Sequence, residues 1–104
     1  MTESKAKKEA KPKNNIDVDI DDETAQGVYT NLAISNFNQE EFVVDFAYLQ
    51  GQVPKAKVRS RVIMSPHNAK RIANMLMANI QHYESQFGPL SDGPAFPSIK
   101  LTNN

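Results

Sequence analysis

Two histidines and one isolated carboxylate are the residues of this chain whose types could support metal or acid–base chemistry. His67 and His82 lie fifteen positions apart, which is about 22 Å along one straight α-helix, so they cannot share a metal ion within one helix. Asp45 has no second carboxylate, nucleophile or histidine at a spacing that would make it work as part of a site. The chain also lacks cysteine, which removes thiolate ligands and cysteine nucleophiles. We therefore predict a protein that is not an enzyme and has no metal or cofactor.

Asp45 has a structural interpretation. It interrupts an otherwise apolar run from Phe42 to Leu49, and a carboxylate there costs free energy unless it is paired or faces water. Arg59 and Arg61 follow in the next predicted strand, so antiparallel pairing predicts a cross-strand ion pair with Asp45. A catalytic acid or base is the alternative reading of this residue.

Basic residues alternate near the third predicted strand. If exposed, they could track phosphates, with Tyr29 or Phe37 stacking on a base. Alternating cations on a strand are also typical of a solvated edge that guards against sheet-to-sheet aggregation. The candidate nucleic-acid contacts are Lys55, Lys57, Arg59 and Arg61.

Three strands are needed to place these residues. Alternating apolar residues predict a first strand over about 28–36, and a second strand that is apolar on both sides, as a central strand is, follows from Phe42. Gly51 and Pro54 break the chain before a third strand over 57–64. In simple alternation, Lys57, Arg59 and Arg61 form one basic row on that strand.

A long helix follows the strands. Ser65 suits an N-cap and Pro66 the first helical position, whereas Gly88 and Pro89 supply a stop. Apolar residues recur between them at steps of three and four, which predicts an amphipathic helix. The fold class is α+β: a three-stranded antiparallel β-meander followed by one long amphipathic C-terminal helix, completed by dimerisation.

The two ends of the chain differ in composition from its middle. Residues 1–23 are rich in lysine and then in aspartate, and we predict a disordered charged tail. The alternation of Ile16, Val18 and Ile20 with aspartates could add a strand to a sheet edge. Residues 24–88 form the predicted domain, and 89–104 an extended tail containing Pro and Gly. The N-terminus has no apolar segment for export, so we expect a soluble cytoplasmic protein with no membrane association.

The helix is predicted to cover the sheet, but its apolar arc is wider than a three-stranded sheet can cover. A folded part of about 64 residues is also marginal for a single core, so a homo-oligomer, most simply a dimer, is predicted. Met in such a surface is alternatively an ordinary core filler. The candidate protein interface consists of Met75, Met77, Ala78, Phe46 and Tyr48.

Four motifs in order resemble an uncharacterised bacterial family, domain of unknown function 3467. They are a G-x-Y-x-N-L stretch at 27–32, E-F-x-x-D-F at 41–46, S-R-x-I-M-S-P at 60–66 and Y-E-x-x-F-G at 83–88. The resemblance implies no catalytic residue and no cofactor. In layout alone, the meander and helix are also similar to SecB-type export chaperones, which are oligomers that hold unfolded chains.

Two kinds of function remain open beside the unfavoured enzyme. The first is a non-enzymatic cytoplasmic protein-binding or scaffold module that acts as a homo-oligomer with an unknown protein partner, with a SecB-like holdase as a narrower version. The second is nucleic-acid binding through the basic third strand and the Lys-rich tail.

Overall fold

The computed structural model describes residues 15–52, 54–93 and 99–100. The described elements are, in chain order, α1 (Asp22–Ala25), β1 (Leu32–Phe37), β2 (Phe42–Leu49), β3 (Ala56–Met64) and α2 (Pro66–Phe87). This is the predicted α+β class, with three antiparallel strands followed by a long helix. The predicted tails fall partly on residues 1–14, 94–98 and 101–104, which lie outside the described residues.

The chain divides into two units, Met1–Thr30 and Asn31–Asn104. In the first unit, Asp21 is the N-cap of the single-turn helix α1, and its Oδ1 accepts a hydrogen bond of 2.7 Å from the amide of Thr24. Ile16, Val18 and Ile20 precede this turn in a stretch without regular structure, and all three are exposed. That this alternating stretch adds to a sheet edge remains a prediction.

The second unit contains an antiparallel sheet with the strand order β1, β2, β3. The turn between β1 and β2 is closed by Asn38, whose side-chain oxygen accepts hydrogen bonds from the amides of Glu40 and Glu41. Directly beside the turn, the rings of Phe37 and Phe42 stack with centroids 5.3 Å apart. Because β2 lies between β1 and β3, it is the central strand, as its apolar character predicts.

The first strand begins four residues later than the sequence predicts. Asn31 explains this difference, because its side-chain amide accepts from the backbone N–H of Leu49 at 2.8 Å and donates to the Leu49 carbonyl at 3.0 Å. Leu49 is the last residue of β2. Its backbone N–H and carbonyl are therefore paired by the Asn31 side chain and not by the backbone of a neighbouring strand. Val28, placed in the strand by its alternation, is 61% exposed in the first unit.

Strand pairing assigns the sheet residues to two faces, because directly opposite residues share a face. On one side, which we call the Asp45 face, Ile34, Asp45 and Arg61 lie across from one another. On the other side, the Phe46 face, Phe46 is flanked by Ala33 and Ser60. The Phe46 face also contains Ser35, Phe37, Phe42, Val44, Tyr48, Lys57, Val62 and Met64.

Helix α2 begins where its sequence signals predict. The Ser65 hydroxyl accepts a hydrogen bond of 3.2 Å from the amide of Asn68, and Pro66 is the first helical residue. At the other end, Gly88 has φ +97°, a backbone conformation that favours glycine, and its N–H donates to the Glu84 carbonyl. The 22 residues between these caps extend over about 33 Å.

The sequence predicts that α2 buries its apolar stripe on the sheet, but no residue of α2 is fully buried. Within the part of the chain that the structure describes, only Ala47 and Asp45 are buried, and α2 contains no buried residue. Partial burial is concentrated in its first turns, at Asn68, Ala69 and Ile72. The apolar stripe of α2 therefore continues beyond the surface that the sheet offers.

Candidate functional site

The buried polar contact of the sheet is a two-point ion pair between β2 and β3. Arg61 Nε donates to Asp45 Oδ1 at 2.7 Å, and Arg61 Nη2 donates to Asp45 Oδ2 at 2.9 Å. The Asp45 side chain is 1% exposed and the Arg61 side chain 54% exposed. The guanidinium therefore covers the carboxylate from the solvent side, in the planar geometry that makes such pairs specific. This is the cross-strand pair that the antiparallel register predicts.

The Arg61 guanidinium also determines the charge state of the carboxyl group. Its hydrogen bonds lower the pKa of Asp45 below the usual value of 3.8 and outweigh the opposite effect of desolvation. The same contacts raise the pKa of Arg61. A carboxylate that is shielded from solvent, bonded through both oxygens and held ionised is poorly suited to exchange protons with a substrate. The geometry fits a structural role for Asp45.

The predicted basic row on the third strand is wrong, because a β-bulge interrupts the alternation. Phe46 pairs with Ser60 and Ala47 with Val58, so Arg59 is the extra residue between them. Lys57 consequently lies on the Phe46 face, whereas Arg61 lies on the Asp45 face. Lys55 precedes the strand and is exposed. The four candidate phosphate contacts are therefore not aligned along one face.

Arg59 is directed toward an aromatic side chain of the central strand. Its guanidinium carbon lies 6.0 Å from the centre of the Tyr48 ring, which is at the limit for a cation–π interaction. Tyr48 and Phe46 are each 36% exposed, and Val62 on the neighbouring strand is 38% exposed. These residues form an apolar surface on the Phe46 face, with Arg59 and Lys57 beside it.

A second apolar surface runs along α2. The candidate interface residues Met75 and Met77 are each 54% exposed, and Ala78 is exposed as well. The main stripe of the helix is equally open: Leu76 is 52%, Ile80 39%, Tyr83 45% and Phe87 70% exposed. The sequence predicts that the flank of this helix is uncovered and that its main stripe belongs to the core. Both are exposed in the isolated chain.

The two histidines lie on α2 and are not brought together. His67 is exposed in the first turn. His82 lies 3.3 Å from the Gln86 side-chain nitrogen through its Nε2, and its backbone carbonyl accepts from the Ser85 hydroxyl. Among the described residues, no group of three His, Cys, Asp or Glu side chains is placed to hold a metal ion. No described helix is long and apolar enough to cross a membrane.

The fold and its surfaces define a small α+β domain in which a three-stranded sheet and a long helix both expose apolar side chains. The sequence model of one protein family, described as a protein of unknown function (DUF3467), matches residues 1–92. The chain belongs to this family, which confirms the resemblance carried by its four motifs. No curated protein and no solved structure matches the chain.

Proposed function

We propose that the protein is a non-enzymatic binding module that acts as a homo-oligomer and holds another protein on the apolar surface of its sheet. The observation that carries this proposal is the exposure of apolar side chains on two separate elements, the Phe46 face and α2. Soluble proteins rarely leave extended apolar patches open unless these bind something. One surface is assigned to self-association and the other to a partner.

The Phe46 face suits a protein partner. Tyr48 and Phe46 are aromatic anchors of the type that dominates binding energy in protein interfaces, and Arg59 and Lys57 supply a polar rim. The sheet presents these side chains from its central strand, so the anchors lie on a rigid element. A partner can therefore bind this face without a movement of the backbone of the sheet.

Paired variants test the role of this face. Phe46→Ser and Tyr48→Ser remove the anchors, whereas Ile63→Ser removes a 57% exposed side chain of the Asp45 face and serves as the control. Tagged full-length chains are expressed in the native host and captured. We expect a protein retained by the wild-type chain and by Ile63→Ser to be lost with the two aromatic variants. Equal retention by all four chains would contradict the assignment.

A holdase for unfolded chains is a narrower version of the same function. It differs in having no unique partner, so the purified protein would suppress the aggregation of a heat-denatured reporter enzyme at near-equimolar amounts. Suppression that is lost with Tyr48→Ser and kept with Ile63→Ser supports this version. No suppression by the wild-type chain leaves a specific partner as the proposal.

Nucleic-acid binding is less well supported by the geometry. Arg61 is engaged by Asp45, and the bulge separates it from Lys57 across the sheet. A phosphate backbone would therefore meet only part of the predicted cation set on either face. A gel shift of the full-length chain with single- and double-stranded probes at low salt tests this alternative, because absence of a shift removes it.

A further inference from the structure

The middle of α2 lacks charge although the structure leaves it open. From Ile72 to Tyr83 the helix contains no Asp, Glu, Lys or Arg, and most of this stretch is exposed. Surface helices of monomeric proteins normally carry charged residues on their solvent side. Depletion of charge is typical of the centre of a protein interface. The composition of α2 therefore indicates a helix that is covered in the assembled protein.

The stripe on α2 has the spacing of a coiled coil. Its residues are separated by steps of four, three, four, three and four, which is the alternation of heptad positions d and a. The seam residues are Ala69, Ala73, Leu76, Ile80, Tyr83 and Phe87.

These six positions are symmetric about residue 78. A two-fold axis at that level, relating two antiparallel copies of α2, places Ala69 opposite Phe87 and Ala73 opposite Tyr83 of the second copy. It also places Leu76 opposite Ile80. Each layer then combines a d position with an a position, as antiparallel pairing requires. The adjoining Tyr83 and Phe87 rings, with centroids 4.9 Å apart, meet two alanines, so large side chains face small ones.

A parallel pair would not match in this way. Parallel, in-register helices place each residue level with its own copy, so Phe87 would meet Phe87 at one end and Ala69 would meet Ala69 at the other. One end would be crowded and the other would contain a void, and both cost stability. The order of small and large residues therefore favours the antiparallel orientation.

The flanking positions support the same alignment. In this alignment, Lys70 of each copy lies beside Glu84 of the other copy. Two equivalent Lys–Glu ion pairs therefore flank the seam. One carboxylate oxygen of Glu84 accepts from the Leu90 amide at 2.8 Å, which leaves the other oxygen for Lys70. Met77 occupies the same flanking position, one residue from the level of the axis, and therefore lies close to its own copy. In a parallel pair, Lys70 and Glu84 would remain about 21 Å apart along the axis.

The exposed area of the seam supplies more than half of what an interface of standard size buries. The larger stripe residues are between 39% and 70% exposed, and large side chains of this type bury on the order of 200 Å² each. With Met77, this amounts to roughly 500 Å² per copy, against about 800 Å² per partner in an interface of standard size.

We propose that α2 is the self-association element of this protein and that its occupant is α2 of a second copy, paired antiparallel about a two-fold axis at the level of Ala78. This inference rests on the proposed function in one respect, that the protein acts as a homo-oligomer, and it specifies which surface forms the contact. The pairing leaves Met75 and Ala78 on the outer side of the helix pair and does not involve the Phe46 face.

The absence of cysteine from the chain allows a direct test by single-cysteine cross-linking of the full-length protein. Met77→Cys places a thiol beside the seam, one residue from the level of the two-fold axis. Met75→Cys is the matched control, because Met75 and Met77 are equally exposed at 54% but Met75 lies on the outer side of the helix pair, whereas Met77 flanks the seam. Under mild oxidation at micromolar concentration, we expect Met77→Cys to form disulfide-linked dimers at least fivefold more than Met75→Cys does.

A mixing experiment determines the orientation and covers the case in which Met77→Cys does not fold. Differently tagged Lys70→Cys and Glu84→Cys chains are mixed and oxidised, and the antiparallel pair predicts a mixed dimer in excess over both self-linked dimers. Dimers by light scattering without these preferences would overturn the α2 pairing and leave the homo-oligomer intact. A monomer by light scattering would overturn the pairing together with the oligomeric part of the proposed function, whereas the sheet variants test partner binding separately.

Discussion

Asp45 and Arg61 show how one ion pair can be specific without being catalytic. The carboxylate is 1% exposed, and its partner guanidinium reaches solvent, so the strand holds a charge in its centre only because the neighbouring strand neutralises it. The pair favours the observed register of β2 against β3, since a shift by one residue would bring Asp45 opposite Ser60 or Val62 and leave the carboxylate without its guanidinium partner. The ion pair therefore contributes to how β2 and β3 are aligned in the sheet.

The pH dependence of stability follows from the lowered pKa of Asp45. A carboxyl group with a lower pKa in the folded than in the unfolded state stabilises the fold above its unfolded pKa, and this contribution is lost as the pH falls through the folded pKa. We therefore expect urea midpoints to be constant from pH 7 to 5 and to decrease below about pH 4, near the ordinary carboxyl value of 3.8. Circular dichroism at several pH values measures this, and a midpoint that rises on acidification would contradict it.

Removing Arg61 isolates the pair. Arg61→Met leaves a buried carboxylate without its donor, so we expect a clear decrease in melting temperature and an acid transition shifted to higher pH as the pKa of Asp45 rises. Arg59→Met is the control, because it removes a neighbouring cation of the same strand that lies beside Tyr48. If both variants melt alike, Arg61 has no special role.

At this scale, the sequence allowed the ion pair to be predicted but not the bulge. The pair follows from antiparallel order and the isolated position of Asp45. Nothing in Arg59 distinguishes it from the alternating residues around it, since it is neither glycine nor a turn former. The bulge is a property of how β2 and β3 pair, and it reverses the alternation of every residue that precedes it in β3.

The elements differ in how local their signals are. Helix α2 begins and ends at capping residues that act within one turn, so Ser65, Pro66 and Gly88 were sufficient to predict its bounds. The start of β1 was not predictable from its alternation, because it depends on Asn31 binding the backbone of Leu49, eighteen residues later. A contact of that range has no signature in a local pattern.

The N-cap of α2 gives a prediction at the scale of the element. Ser65→Ala removes the acceptor for the Asn68 amide, and loss of such a cap costs about 1 kcal/mol. We expect a melting temperature lower by roughly 5 °C in a domain of this size. Ser85→Ala is the control, because Ser85 lies within the helix and donates only to the His82 carbonyl. A Ser65→Ala variant as stable as Ser85→Ala would refute this role of the cap.

At the scale of the whole molecule, the sequence indicated surplus apolar surface but understated it. The stripe of α2 was assigned to the sheet because amphipathic helices usually pack on the nearest apolar face. In the structure, the described sheet does not bury it, and the surplus includes the main stripe. If two copies pair through α2 in antiparallel orientation, their sheets are attached at opposite ends of the helix pair, so the dimer would present two partner-binding faces.

A charged substitution in the seam tests whether α2 forms the dimer contact. Leu76→Asp places a carboxylate in the central layer, where desolvation is most costly, whereas Ala78→Asp places the same charge on the outer side of the helix. We expect Leu76→Asp to be monomeric and Ala78→Asp to associate like the wild-type chain. Sedimentation velocity distinguishes the two states, and equal association of both variants would exclude the proposed seam.

The measurement that most directly tests the central claim is the mass of the wild-type protein in solution. Size-exclusion chromatography with light scattering between about 1 and 100 μM, a range around ordinary interface affinities, gives this mass without a variant. The account predicts about twice the 11.6 kDa of one chain. A mass of one chain over the whole range would contradict it, because the apolar surface of α2 would then remain exposed in the functional protein.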